Sequence, residues 1–131
     1  NLPHGAEDVI ASYHAHGTSE QFHSEFKTDM NVERLPSGKF STNATILLLS
    51  GIAFNILRLI GQAMLAHPEA MPAKLKIKRR RLGSVIRDLI YIACKRVRHA
   101  GSVKLRFGIR CPWFKSFAEI YEDFLHKPDL A

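Results

Sequence analysis

The densest run of chemistry-bearing side chains lies between Tyr13 and Lys27, in the stretch Tyr-His-Ala-His-Gly-Thr-Ser-Glu-Gln-Phe-His-Ser-Glu-Phe-Lys. A carboxylate is the hard oxygen ligand that a divalent cation prefers. An ammonium binds phosphate as a compact point charge, and an imidazole changes charge near neutral pH. His16, Glu20, His23 and Lys27 thus set rings that can carry charge, a carboxylate and an ammonium at fixed intervals in one short stretch. A second grouping of the same residues, His16, Glu20 and His23 as zinc ligands, is disfavoured. His16 precedes the expected helix cap and the His-Glu-x-x-His spacing is absent.

The elements that position these residues follow from local signals. Thr18 followed by Gln21 reads as a capping box, and Gly17 just before it permits a sharp turn, so a helix is expected from about Ser19 to about Met30. A short helix ahead of it, with Glu7 and Asp8 in its first turn, would deliver Tyr13, and the chain would break between Ala15 and Gly17. On the second helix Glu20 and Lys27 are two turns apart and return to within about 20° of one direction, with His23 between them. Phe22, Phe26 and Met30 share a different face, which is expected to be buried.

The spacing of Tyr13, His16, Glu20 and Lys27 resembles the Tyr-x2-Arg-x3-Glu-x6-Lys signature of bacterial insertion-sequence transposases with a DDE catalytic triad, with His16 in the place of Arg. The likeness continues through Asp29, Arg34-Leu35-Pro36, Phe40, Asn43, Ala53-Phe54-Asn55-Ile56-Leu57 and Cys111-Pro112-Trp113, and so covers most of the chain. Taken alone, Glu20 would read as a solvent-facing helix acid; the resemblance reverses that preference. It implies that Glu20 is the catalytic third carboxylate and metal ligand of a ribonuclease-H-like site. Two Asp residues would lie upstream of the sequence, and Asn1-Leu2 would be the tail of a preceding strand. The chain is then a C-terminal fragment, inactive in isolation. Mg2+ or Mn2+ is the implied cofactor of the intact enzyme, with none expected in the fragment. Tyr13, His16 and Lys27 are the implied DNA contacts. The resemblance further implies double-stranded DNA, as transposon ends and target, for a partner, a cytoplasmic, nucleoid-associated location, and allows a homodimer of the intact enzyme.

Composition agrees with a folded, DNA-directed chain. At 131 residues, with 46% hydrophobic and 24% charged residues, one domain with a real core is expected. The net charge of +7 is unevenly distributed. Residues 1 to 33 carry six acids against Lys27, whereas residues 74 to 110 carry thirteen Lys or Arg against Asp88, a local balance of +12. Such a block attracts a polyanion and makes binding depend on salt. Lys74, Lys76, Lys78, Arg79, Arg80 and Arg81 are the candidate phosphate contacts, on a strand expected from the alternation over residues 74 to 78. A basic nucleic-acid-binding module without catalysis is the alternative function. Cys94 and Cys111 show no metal-ligand spacing and suit a reducing compartment. Neither a signal peptide nor a transit peptide is visible.

The remaining expectations concern packing. The fold class predicted is α+β and mainly helical, with a helical part over residues 1–67 and a basic α/β tail over 74–131. Ile46 to about Ala66 reads as an apolar core helix, with Asn55 a buried amide, because Asn55 and Arg58 interrupt any membrane span. Leu82 to Val97 follows helical spacing, with a hairpin as the alternative. Val103, Leu105 and Phe107 alternate as a strand, and a last helix follows Pro112.

Overall fold

The computed structural model describes residues 5–72 and 77–126. Its elements are α1 (Ala6–Ser24), which continues as a π-helical turn (Glu25–Asp29); α2 (Phe40–Ala66); a short 3-10 turn (Pro68–Ala70); α3 (Leu82–Val85), which continues as a second π-helical turn (Ile86–Ile90); strands β1 (Cys94–His99) and β2 (Ser102–Phe107); and α4 (Phe114–His126). The class is mainly helical α+β with one small antiparallel sheet, in agreement with the sequence. Two compact units divide the chain, Asn1–Phe54 and Asn55–Ala131.

In the first unit, Glu7 and Asp8 occupy the first turn of α1, where the helix dipole favours them. The expected break at Ala15 to Gly17 does not occur. Gly17 lies inside the helix, at a propensity cost of about 1 kcal/mol, and that single penalty is outweighed by an unbroken backbone ladder on either side. Thr18 does not cap: its hydroxyl donates back to the His14 carbonyl at 3.5 Å, the interaction of a mid-helix threonine. The helix ends where predicted, with Met30 as cap and Asn31 in the left-handed region at φ 55°, a conformation asparagine tolerates. Phe22 and Phe26 are half-buried and meet Phe54 edge-to-face, with ring centroids 6.3 and 5.7 Å apart. The Asn43 amide donates to the Ser37 carbonyl at 2.7 Å and fixes the turn ahead of α2.

In the second unit the core is Met64 from α2, Val85 and Leu89 from α3 and its continuation, and Ile120 from α4, with Leu57, Ile60, Trp113 and Phe117 around it. Gly61 allows α2 to approach: a Cβ there would lie 3.2 Å from a Val85 methyl carbon. The helix predicted over Leu82 to Val97 stops at Ile90, and Cys94–His99 is a strand. Here the hairpin alternative prevails. Ala100 and Gly101 both take positive φ, 48° and 77°, the two-residue type I′ turn whose twist matches paired strands, and the strands pair from His99↔Ser102 to Cys94↔Phe107. No strand is formed by Ile77 and Lys78; the rest of the strand expected at 74–78, including Lys74 and Lys76, lies outside the described residues.

The expectation of a buried core helix over Ile46 to Ala66 holds only for its C-terminal turns. Leu47, Leu48, Leu49, Ile52, Ile56 and Leu59 stay exposed, Leu48 by 73%. Asn55 is exposed too, so it is not the buried amide expected. By length and composition α2 is apolar enough to cross a membrane, with 6% of its most apolar window buried.

Candidate active-site helix and nucleic-acid interface

Because α1 is continuous, Tyr13, His16 and Glu20 stand at offsets of three and four residues on one helix and share a face. All three are exposed, Tyr13 by 80%. Lys27 is exposed as well, but it sits in the π-helical turn, whose wider winding carries it off the straight α-helical line through Glu20. His23 is exposed in the last turn of α1.

Sequence reasoning missed Glu25. It is 2% exposed, the one buried residue of the π-helical turn. Its position three residues after Phe22, beside the aromatic stripe, was the available signal. A carboxylate held inside the packing of the unit differs in role from Glu20, which faces solvent.

The run of four cations from Lys78 to Arg81 in the second unit is not uniform. Lys78 and Arg81 are exposed and Arg79 is half-buried, whereas Arg80 is 5% exposed. The Arg80 guanidinium pairs with Asp88, itself buried, lies 5.0 Å from the centre of the Trp113 ring, and donates to the Met71 sulfur at 3.6 Å. Arg58 donates to the Arg80 carbonyl at 3.3 Å, which gives the polar stripe of α2 a structural use. Arg80 is thus an internal ion pair of the kind that costs several kcal/mol to break from one side, and it does not present its charge at the surface as sequence reasoning expected. From solvent, Arg87 completes the cluster through Nε to Asp88 at 2.8 Å; that carboxylate beside it raises the Arg87 pKa.

A second clasp closes the unit. His67 Nε2 lies 2.6 Å from Asp123 Oδ2, and Ser116 donates to the Ala70 carbonyl at 2.7 Å, so α4 is tied to the turn that follows α2. The hydrogen bond to Asp123 raises the His67 pKa against the opposing effect of burial.

The first unit thus presents an exposed acid with a ring hydroxyl and an imidazole on one helix face, and the second is strongly basic. The chain belongs to the family described as transposase DDE domain group 1, whose model matches residues 1–128. No curated protein and no solved structure matches it. Membership implies DNA as a partner and suggests DNA transposition as the process, and the family normally uses divalent metals. Among the described residues no three His, Cys, Asp or Glu side chains converge as a metal site. The zinc grouping of His16, Glu20 and His23 is therefore not formed. Glu20 on its own is one carboxylate, which does not fit a metal pair.

Proposed function

We propose that the chain is the C-terminal part of the ribonuclease-H-like catalytic domain of a bacterial insertion-sequence transposase, acting in the cytoplasm on transposon ends and target DNA. Glu20 is its third catalytic carboxylate. The observation that carries this reading is the unbroken α1 helix, which lines up Tyr13, His16 and Glu20 on one exposed face. On that face Tyr13 stacks beside or hydrogen-bonds to the reacting strand. Lys27 holds a phosphate nearby, and His16 donates to one more weakly than a two-pronged guanidinium does. Lys78, Arg79 and Arg81 track the DNA backbone, together with Lys74 and Lys76. Arg80 keeps that segment in place from inside. The bare apolar side of α2 supports the fragment reading, since a helix of this composition is ordinarily covered by the rest of its domain.

One carboxylate does not assemble the magnesium or manganese site of the intact enzyme, so the chain alone does not cut DNA. The second reading, a basic module without catalysis, draws support from the lack of a converging acidic cluster among the described residues. Restoring the upstream sequence separates the two. In the intact protein, Glu20→Gln abolishes strand cleavage with DNA binding kept, whereas Lys27→Ala weakens binding to the transposon end and lowers the salt slope by about one unit. Cleavage at the parent rate by Glu20→Gln removes the catalytic reading and leaves the module.

A further inference from the structure

The β1–β2 hairpin holds a concentration of charge that the candidate site does not use. Residues 89 to 118 contain seven Lys or Arg and no acid. Five of the seven, Lys95, Arg96, Arg98, Lys104 and Arg106, are exposed on two six-residue strands, and none has an ion-pair partner among the described residues. Three other cations of the unit have partners: Arg80 and Arg87 share Asp88, and Arg58 bonds to a carbonyl.

Register sorts these cations onto two faces, because directly opposed residues in an antiparallel pair lie on the same side. Cys94↔Phe107, Arg96↔Leu105 and Arg98↔Val103 form one face. Its base is anchored, since Phe107 packs on Phe114 and Phe117 with centroids 5.2 and 5.0 Å apart. The other face carries Lys95↔Arg106 and Val97↔Lys104, so two cations sit directly opposite each other with a third one step along the same strand. Like charges placed directly opposite destabilise a sheet. The arrangement becomes favourable when a polyanion lies across it.

We propose that this Lys95, Lys104 and Arg106 face is a docking ribbon for double-stranded DNA, a second contact surface beside the segment from Lys78 to Arg81. The inference rests on the DNA-directed function proposed above. A two-stranded ribbon is narrow enough for the roughly 12 Å major groove. Strands of six residues at about 3.3 Å each extend for about 20 Å, a span of several base pairs. With exposed lysine and arginine heads and no amide side chain on that face, the contacts go to phosphates, and binding is insensitive to sequence.

The test uses the whole 131-residue chain and a labelled duplex titrated at several salt concentrations. In the Lys95→Gln, Lys104→Gln, Arg106→Gln triple variant the slope of log affinity against log salt falls by about 2 to 3 units, while Arg96→Gln with Arg98→Gln, on the anchored face, changes it by less than about one unit. Lysine acylation of the unaltered chain, read by mass spectrometry, gives an independent measurement that does not depend on a variant folding: duplex protects Lys95 and Lys104. A parent that binds duplex, together with an unchanged slope in the triple variant or unprotected lysines, overturns the ribbon and leaves the DNA-directed function standing. A parent that does not bind duplex at low salt removes both. Single-stranded RNA of equal length that displaces the duplex from the ribbon at lower concentration than duplex itself overturns DNA as its ligand.

Discussion

At the scale of single residues, the clearest consequence of the geometry is at His67. Its pKa is raised chiefly by the hydrogen bond to Asp123, so the folded state holds the proton more tightly than the unfolded chain, whose histidine titrates near about 6.5. Stability from this pair is fully present below that value and is lost as pH rises through the higher folded pKa. Urea unfolding at pH 6 and again above pH 8 is expected to show a loss of stability that Asp123→Asn removes. An equal loss in that variant would contradict the assignment. The same scale shows what a residue-by-residue reading of the sequence reaches. The exposure of Glu20 is legible, because helical spacing sets it away from the Phe22 and Phe26 face; that Tyr13 and His16 share its helix is not, because Gly17 reads as a break. Nor is the burial of Glu25, because a charged residue beside an aromatic stripe reads as solvent-facing unless the period is counted through it. Among four consecutive cations nothing local singles out Arg80. Its partner is eight residues away, and the clue was that Asp88 is the lone acid opposing thirteen cations.

At the scale of elements, periodicity identified α2, β2 and α4 closely, since each carries an apolar pattern of one clear period. It held over Leu82–Ile90 and failed beyond, at Cys94–His99, where β-branched residues fit helix and strand alike and the decision fell to the Ala100–Gly101 turn and to cross-strand pairing. The helical break predicted at Gly17 failed for the opposite reason: a local signal was overridden by the continuing ladder of α1. Burial of α2 was read from composition, which does not tell how much covering surface the chain supplies. That exposed apolar stripe has a measurable consequence. Contiguous apolar surface on a protein of this size drives association, so the 131-residue chain is expected to run above its monomer mass by light scattering at micromolar concentration. Leu48→Ser with Leu49→Ser and Ile52→Ser returns it to monomer. A parent that is monomeric throughout would show that the stripe is not sticky.

At the scale of the whole molecule, the sequence separates an acidic N-terminal helix from a strongly basic C-terminal half, and the proposed function divides the work between them: the first offers a carboxylate to chemistry, the second holds a polyanion. That division predicts that the chain binds duplex DNA with steep salt dependence yet does not nick it. The central claim is that Glu20, and not Glu7, Glu25 or Glu33, belongs to the catalytic centre. The most direct measurement is single-turnover cleavage of a labelled transposon end by the intact protein carrying, one at a time, Glu7→Gln, Glu20→Gln, Glu25→Gln and Glu33→Gln, with folding checked by thermal unfolding. Glu25→Gln should lower the unfolding midpoint, because Glu25 is buried. Glu20→Gln should keep the parent midpoint and lose at least about a hundredfold in cleavage rate, with Glu7→Gln and Glu33→Gln unchanged in both. A Glu20→Gln protein that cleaves at the parent rate, or a folded Glu7→Gln or Glu33→Gln protein that does not cleave, would contradict the account.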